Sequence, residues 1–163
     1  MENTLPIRKH PRLKNFDYSS AGAYFITICT HNRKCLFSHI VGRALAPAEI
    51  RYTAYGQIAK EQLFLLEKRY PFLKIDQYVI MPNHIHMILY IKYDNGRMIS
   101  SPTSILTVIG QMKRCVSKKI GEPIWQRSFH DHIIRDKNDY DKISKYIYEN
   151  PIKWQDDCFY TED

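Results

Sequence analysis

The amino-acid sequence predicts a single α+β domain in which helices cover one face of an antiparallel sheet. Segments rich in β-branched and aromatic residues alternate along the chain with segments whose apolar residues have helical spacing. Their order is strand, helix, strand, strand, helix, strand, with one more helix appended, which is the split βαβ pattern of ferredoxin-like folds. A chain of 163 residues can hold one such domain and is too short for two of ordinary size, so residues 1–163 are taken as one unit.

The first half of the predicted fold is a basic N-terminal arm, residues 1–22, followed by a strand and a helix. Residues 23–31, AYFITICTH, are β-branched and aromatic and predict the first strand. Residues 55–70, YGQIAKEQLFLLEKRY, carry apolar side chains at helical spacing, and Pro71 ends this helix. Residues 32–53 give no clear assignment and could include a short strand or a turn.

Two more helices and a strand are predicted in the second half. Ser101 is expected to cap the second helix with Pro102 at its first helical position, and Gly121 ends it. Residues 124–135 alternate well enough for the last strand, and residues 138–150 form the appended helix. The predicted core stripe of the second helix is Ile105, Ile109, Met112, Val116 and Ile120.

The two middle strands, KIDQYVIMP and HIHMILYIK, are joined by a tight Pro-Asn connection and predict a hairpin. Alternate residues of a strand share a face, so His84 and His86 point one way, while Ile85 and Met87 belong to a wholly apolar face. Two ring nitrogens side by side suit a metal site, although histidines in strands are often only packed or hydrogen-bonded. We expect this strand to be central, with the histidines on the face that the two packing helices leave open or beneath the appended helix.

Basic residues outnumber acidic ones. Twenty-four Lys and Arg against seventeen Asp and Glu give a net charge of +7, which suggests a polyanionic partner such as nucleic acid, although many basic proteins bind none. The basic face of the second helix could follow a phosphate backbone or simply be solvated, and basic residues on or beside the last strand are further candidates. The candidate DNA contacts are Lys113, Arg114, Arg127 and Arg135.

Several classes of protein are disfavoured. There is no stretch of about 18 or more apolar residues and no signal peptide, so we expect a cytoplasmic protein without a membrane partner. The four cysteines form no C-x-x-C pair and are expected to be reduced packing residues, Cys29 being the most buried. The lack of a Gly-rich phosphate loop means that no nucleotide cofactor is expected.

Three segments together resemble the single-tyrosine HUH transposases, and in particular their branch of REP-associated tyrosine transposases. The segments are MPNHIHMIL, WQRSFHDHIIR and DYDKISKYIYENPIKW, and the similarity runs from about Tyr24 to Trp154. The two-histidine motif is weak alone, but its combination with the Tyr-Ile-Tyr-x-Asn-Pro helix is specific. The resemblance implies an enzyme that nicks and rejoins single-stranded DNA at hairpin-bearing ends of a mobile or repeated element.

The resemblance also implies the roles of four residues. His84 and His86 would bind a divalent metal with Asn150 as a third ligand, and Tyr146 would attack phosphorus to give a 5′-phosphotyrosine and a free 3′-OH. A phenol has a pKa of about 10, so it needs a base or a metal that stabilises charge on the phosphate. Mg²⁺ or Mn²⁺ fits the reaction, and two histidine ligands favour Mn²⁺, Co²⁺ or Ni²⁺ in affinity.

Helix geometry separates the three tyrosines of the appended helix. Tyr146 and Asn150 are four residues apart and lie one turn above the other on the same side. Tyr148 points away from that side, and Tyr140 lies almost three turns from Asn150. We therefore predict Tyr146 as the nucleophile; a packing role for its ring is the alternative.

Two other functions stay open on the sequence alone. A replication initiator or plasmid relaxase of the HUH type would share the site and differ in its substrate. A non-catalytic module would bind single strands through aromatic residues on the sheet, and would give a salt-sensitive gel shift without a covalent adduct. The sequence does not predict the DNA sequence recognised, the oligomeric state, or whether the tyrosine helix serves its own chain.

Overall fold

The structure is a computed structural model that describes residues 12–42, 48–92 and 103–161. The strands and helices, in chain order, are β1 (Gly22–Cys29), β2 (Ser38–Val41), β3 (Glu49–Tyr52), α1 (Ala54–Arg69), β4 (Leu73–Ile80), β5 (His84–Ile91), α2 (Ile105–Ile120), β6 (His130–Ile134) and α3 (Lys137–Glu149). Short 3-10 helices, His31–Arg33 and Trp154–Asp156, follow β1 and α3.

The main sheet has the strand order β4-β5-β1-β6, and every neighbouring pair is antiparallel. With the β2–β3 hairpin set aside, this is the strand order of the split βαβ pattern, so the predicted α+β, ferredoxin-like class is confirmed. Strand β5 is central, as predicted. Its apolar side chains Ile85, Met87 and Leu89 belong to the core that also contains the buried faces of α1 and α2.

Helix α3 covers the opposite face of the sheet. There Ile88 of β5 packs in a second apolar cluster with Ile147 of α3 and Trp154. The appended helix thus lies over the face that carries the two histidines, which is one of the two positions expected for them. Successive side chains of β5 belong to different clusters because side chains of a strand point alternately to its two faces.

Two parts of the fold differ from the prediction. The unassigned region before α1 forms the short β2–β3 hairpin, separate from the main sheet. The last strand is five residues long rather than spanning 124–135. The Lys113 ammonium donates to the carbonyl oxygen of Gln126 at 2.7 Å, so this carbonyl is not available to a regular strand ladder.

Helix α2 starts later than the sequence suggests. Ser101 and Pro102 lie outside the described residues, and the observed N-cap is Ser104, whose Oγ accepts from the amide of Leu106 at 3.2 Å. The Ile105 amide, which has no partner within the helix, donates to the carbonyl of Tyr18 at 3.0 Å. The predicted end is confirmed, since Gly121 adopts a left-handed conformation with φ 92°.

Other predicted features can be compared with the structure. Of the N-terminal arm, residues 1–11 lie outside the described part, while Tyr18 is buried against the core. No disulfide joins the four cysteines, all of which the structure describes, and burial raises the pKa of the Cys29 thiol to about 11. Among the described residues, no helix is both long and apolar enough to cross a membrane.

Candidate functional site

Two buried histidines form the centre of the candidate site. His84 and His86 project from β5 toward α3, with ring centroids 4.4 Å apart. The ring of Phe159 lies 4.7 Å from that of His84, so the segment after α3 also covers the pair. Burial lowers the pKa of His84 to about 3, although the neighbouring Asn150 side chain opposes this shift. Burial and the nearby His84 hold the pKa of His86 well below its usual range, so both rings are neutral at neutral pH.

Each ring uses Nδ1 in a hydrogen bond to a neighbouring polar side chain. His84 Nδ1 lies 2.8 Å from Asn83 Oδ1, and His86 Nδ1 lies 2.8 Å from Thr27 Oγ1 of the adjacent strand. These bonds hold the imidazole planes and direct both Nε2 atoms toward α3 and the segment that follows it. Metal-binding histidines are held in the same way, through the ring nitrogen that does not contact the ion.

Two polar atoms at this site are buried without a partner. Within the described part of the chain, His84 Nε2 and Asn150 Oδ1 make no hydrogen bond. Leaving such an atom buried and unpaired costs about 1–3 kcal/mol. An imidazole nitrogen and an amide oxygen are both ordinary ligands of divalent metals, so the residues present fit a bound ion.

Asp157 joins this site and was not predicted from the sequence. Ligand atoms of His84, His86 and Asp157 lie within 4.8 Å of one another, and two imidazoles with a carboxylate are a common set for divalent ions. Asp157 Oδ2 also accepts a hydrogen bond from Asn150 Nδ2. The only sequence signal was an Asp-Asp pair soon after the helix, and no spacing rule links that pair to β5. The cluster could hold a metal ion.

The structure places Tyr146 at this cluster and the other two tyrosines of α3 away from it. The Tyr146 hydroxyl lies 3.2 Å from His86 Nε2 and 3.1 Å from Asp157 Oδ2, and its side chain is 37% exposed. Tyr148 is 78% exposed. Tyr140 donates to Asp76 at 2.6 Å, which raises the pKa of its phenol to about 12.

The environment of Tyr146 favours the neutral phenol. Burial raises its pKa, and the negative charge and hydrogen bond of Asp157 raise it further. A phenol in this position cannot ionise in advance at neutral pH. Any reaction at its oxygen therefore needs the proton to leave as the new bond forms, or added positive charge nearby.

The four candidate DNA contacts lie on α2 and on either side of β6. Lys113 and Arg114 are on α2, which packs on the opposite face of the sheet, and the Lys113 ammonium is bound to the carbonyl oxygen of Gln126. Arg114 is exposed. Arg127 and Arg135 are exposed on either side of β6.

Comparison with known proteins identifies the family. No family model matches the chain. An uncharacterized protein of Haemophilus influenzae is 33% identical over 95% of this chain and 94% of its own length. A putative REP-associated tyrosine transposase of the same bacterium is 30% identical over 84% of this chain and 74% of its own length. The chain belongs to the REP-associated tyrosine transposase family.

Two further comparisons agree with this assignment. A REP-associated tyrosine transposase of Escherichia coli is 26% identical over 83% of this chain and 70% of its own length. The solved structure of a family member bound to a REP hairpin matches with a TM-score of 0.63, covering 91% of this chain and 74% of that chain at 22% identity. The family resemblance seen in the sequence is therefore confirmed, and with it a transposase-type function.

Proposed function

We propose that the protein is a metal-dependent single-stranded DNA endonuclease and strand transferase. The observation that carries this proposal is the position of the Tyr146 hydroxyl, 3.2 Å from His86 Nε2 beside a cluster that could hold a metal ion. A nucleophile next to neutral nitrogen ligands suits phosphoryl transfer to a tyrosine, because a bound metal would keep its positive charge for the phosphate.

The proposed metal ligands are His84 and His86 through Nε2, with the Asn150 amide oxygen, the Asp157 carboxylate, or both. The unpaired lone pairs on His84 Nε2 and Asn150 Oδ1 support this assignment. A divalent ion there would stabilise the negative charge that develops on the scissile phosphate. Mg²⁺ or Mn²⁺ fits this role, and the two imidazoles favour Mn²⁺ in affinity.

In the proposed reaction the Tyr146 oxygen attacks phosphorus and the P–O3′ bond breaks. The phenol proton passes to Asp157 Oδ2, the carboxylate oxygen 3.1 Å away, and the departing 3′ oxygen takes a proton from water. The products are a 5′-phosphotyrosine and a free 3′-OH. Because the phosphotyrosine bond conserves the energy of the broken bond, rejoining needs no nucleotide cofactor.

The proposed substrate is a single-stranded or hairpin-bearing end of a mobile or repeated DNA element. The structural relative is bound to a REP hairpin, and the net charge of +7 suits a polyanionic partner. We also keep Lys113, Arg114, Arg127 and Arg135 as proposed phosphate contacts. Because Lys113 is bound to a backbone carbonyl, the exposed arginines are the first of these to test.

The test is to incubate the protein and Mn²⁺ with hairpin oligonucleotides drawn from DNA flanking its gene. We expect a protein–DNA adduct that survives a denaturing gel and maps by mass spectrometry to Tyr146. Tyr146→Phe should abolish the adduct and leave DNA binding, whereas the matched control Tyr148→Phe should retain both. An adduct on Tyr148 or Tyr140, or full cleavage by Tyr146→Phe, would contradict the assignment. Salt-sensitive binding without any adduct would instead favour a non-catalytic binding module.

A further inference from the structure

Asn83 is a buried side chain that lies beside the proposed metal site without being one of its ligands. It occupies the turn between β4 and β5 and is fully buried. Its amide contacts His84 on one side and backbone carbonyls of two distant segments on the other.

The orientation of the Asn83 amide follows from these contacts. Nδ2 lies 2.8 Å from the carbonyl oxygen of Phe159 and 3.1 Å from that of Arg33. A carbonyl oxygen can only accept a hydrogen bond, so the NH₂ group must face both of them. Oδ1 therefore faces the imidazole of His84, with 2.8 Å between Oδ1 and Nδ1.

The orientation of the amide in turn determines where the proton of His84 resides. Asn83 Oδ1 has no hydrogen to donate, so His84 Nδ1 must carry the hydrogen in their bond. A neutral imidazole has one N–H, which leaves the lone pair on Nε2. That is the buried atom for which the described residues provide no hydrogen bond, on the side of Asn150 and Asp157.

We propose that Asn83 is a positioning residue that selects the Nδ1–H tautomer of His84 and so presents Nε2 as a metal donor. This inference rests on the proposed function, because it treats His84 as a ligand. His86 differs in this respect. Its partner Thr27 is a hydroxyl, which can either donate or accept, so that contact alone does not select a tautomer.

The tautomer can be read directly in metal-free protein labelled with ¹⁵N-histidine. Two-bond ¹H–¹⁵N correlation spectra at neutral pH should show the His84 proton on Nδ1, with the ring assigned by the loss of its signals in His84→Gln. A proton on Nε2, or on both nitrogens, would overturn the proposal. A wild-type protein with the proton on Nδ1 that binds no Mn²⁺ would overturn the metal-dependent function and leave the tautomer assignment standing.

Variants of Asn83 distinguish selection of the His84 tautomer from a purely structural role, in which Asn83 only anchors the segments of Arg33 and Phe159 through their carbonyl oxygens. Asn83→Ala removes the acceptor and should weaken Mn²⁺ binding about 10–100-fold, measured by calorimetry or by the electron paramagnetic resonance of free Mn²⁺. Asn83→Asp keeps an acceptor for Nδ1–H but loses both amide donors. It should keep the Nδ1–H tautomer and bind Mn²⁺ better than Asn83→Ala does.

The matched control is Gln77→Ala, which removes a side-chain amide bonded to Ser144 at 2.7 Å and should leave Mn²⁺ affinity unchanged. An equal loss of Mn²⁺ binding in Asn83→Asp and Asn83→Ala would show that Asn83 only anchors the chain, and would overturn the proposal. If Asn83→Ala does not fold, the wild-type spectra still decide it.

Discussion

Each histidine of the site is neutral because of its burial, and each has one nitrogen committed to a neighbouring side chain. The charge state and the orientation of each proposed ligand are thus set by its own immediate surroundings. We expect His84→Ala and His86→Ala to abolish Mn²⁺ binding and cleavage, measured by calorimetry and by adduct formation. DNA affinity in a gel shift should persist, since contacts to phosphates supply most of it.

The exposed residue His39 supplies a control for these variants, because it lies on β2. His39→Ala should bind Mn²⁺ and cleave as the wild-type protein does. Wild-type cleavage by His84→Ala or His86→Ala in Mg²⁺ would mean that the histidine pair is structural.

Burial of His84 also makes metal-free stability depend on pH. The pKa of His84 is about 3 in the folded protein and about 6.5 when the side chain is exposed, so below about pH 6.5 the unfolded chain binds a proton that the folded protein does not. Stability should therefore fall as pH decreases from about 6.5 toward about 3, by up to about 1.4 kcal/mol per pH unit from this residue. Urea unfolding in the presence of EDTA, at about pH 7.5, 5.5 and 4.5, would measure this change in the free energy of unfolding.

The matched protein for the pH experiment is His84→Gln, which has the same carboxylates and lacks the buried imidazole at position 84. Its stability should fall less steeply over the same range. Equal slopes for the two proteins would contradict the assignment of His84 as a buried neutral ring.

At the scale of elements, helix α3 brings the proposed nucleophile and a proposed metal ligand to the sheet. Its buried Ile147 fixes the rotation of the helix, and Tyr146 and Asn150 then fall on the side that faces β5. Tyr148 is left exposed on another side. The predicted geometry of the tyrosines therefore depends on one apolar contact as well as on helical spacing.

The start of α1 contains a close approach that tests how tightly the elements pack. A Cβ added to Gly56 would lie 1.9 Å from the carbonyl oxygen of Phe37, which also accepts from the backbone amide of Thr53, the N-cap residue. We expect Gly56→Ala to lower the free energy of unfolding by about 1–3 kcal/mol, because backbone must move to make room. Chemical denaturation would measure it.

Gly110 provides the opposite case within α2, since a Cβ added there would meet nothing within 4 Å. Gly110→Ala should stabilise the protein by about 0.5–1 kcal/mol, because alanine favours the helix.

For the Gly56 prediction, unchanged or increased stability of Gly56→Ala would show that the contact with Phe37 relaxes easily.

For the whole molecule, α3 and Phe159 pack over the candidate site, and this bears on the DNA structures that could react there in the proposed function. The Tyr146 hydroxyl lies beside His86, and the ring of Phe159 packs against the histidine pair. We therefore expect a scissile phosphate to reach the hydroxyl only from an unpaired strand. Unpaired nucleotides can be splayed and stacked on protein side chains. We expect cleavage of a single strand and none of the same sequence in a blunt duplex, scored on denaturing gels. Equal cleavage of both would contradict this.

Much of the fold, and four of the five side chains that meet at the candidate site, could be predicted from the order of residues. The two-residue period of β5 separated the histidines from the core face, and helical spacing put Tyr146 and Asn150 on one side of α3. These features are local, because the sterics of neighbouring residues decide them. The β2–β3 hairpin escaped prediction because strands of four residues contain too little periodicity to recognise.

The rest depended on contacts between distant segments. Asp157 reaches His86 and Tyr146 only because the chain turns back over the sheet after α3, and Lys113 is held by the carbonyl of Gln126 rather than facing solvent. Such contacts are set by which apolar faces bury against each other, and a linear pattern does not record that choice. For the same reason the amide of Asn83, which the sequence shows only as part of a tight turn, takes its orientation from the carbonyls that folding brings beside it.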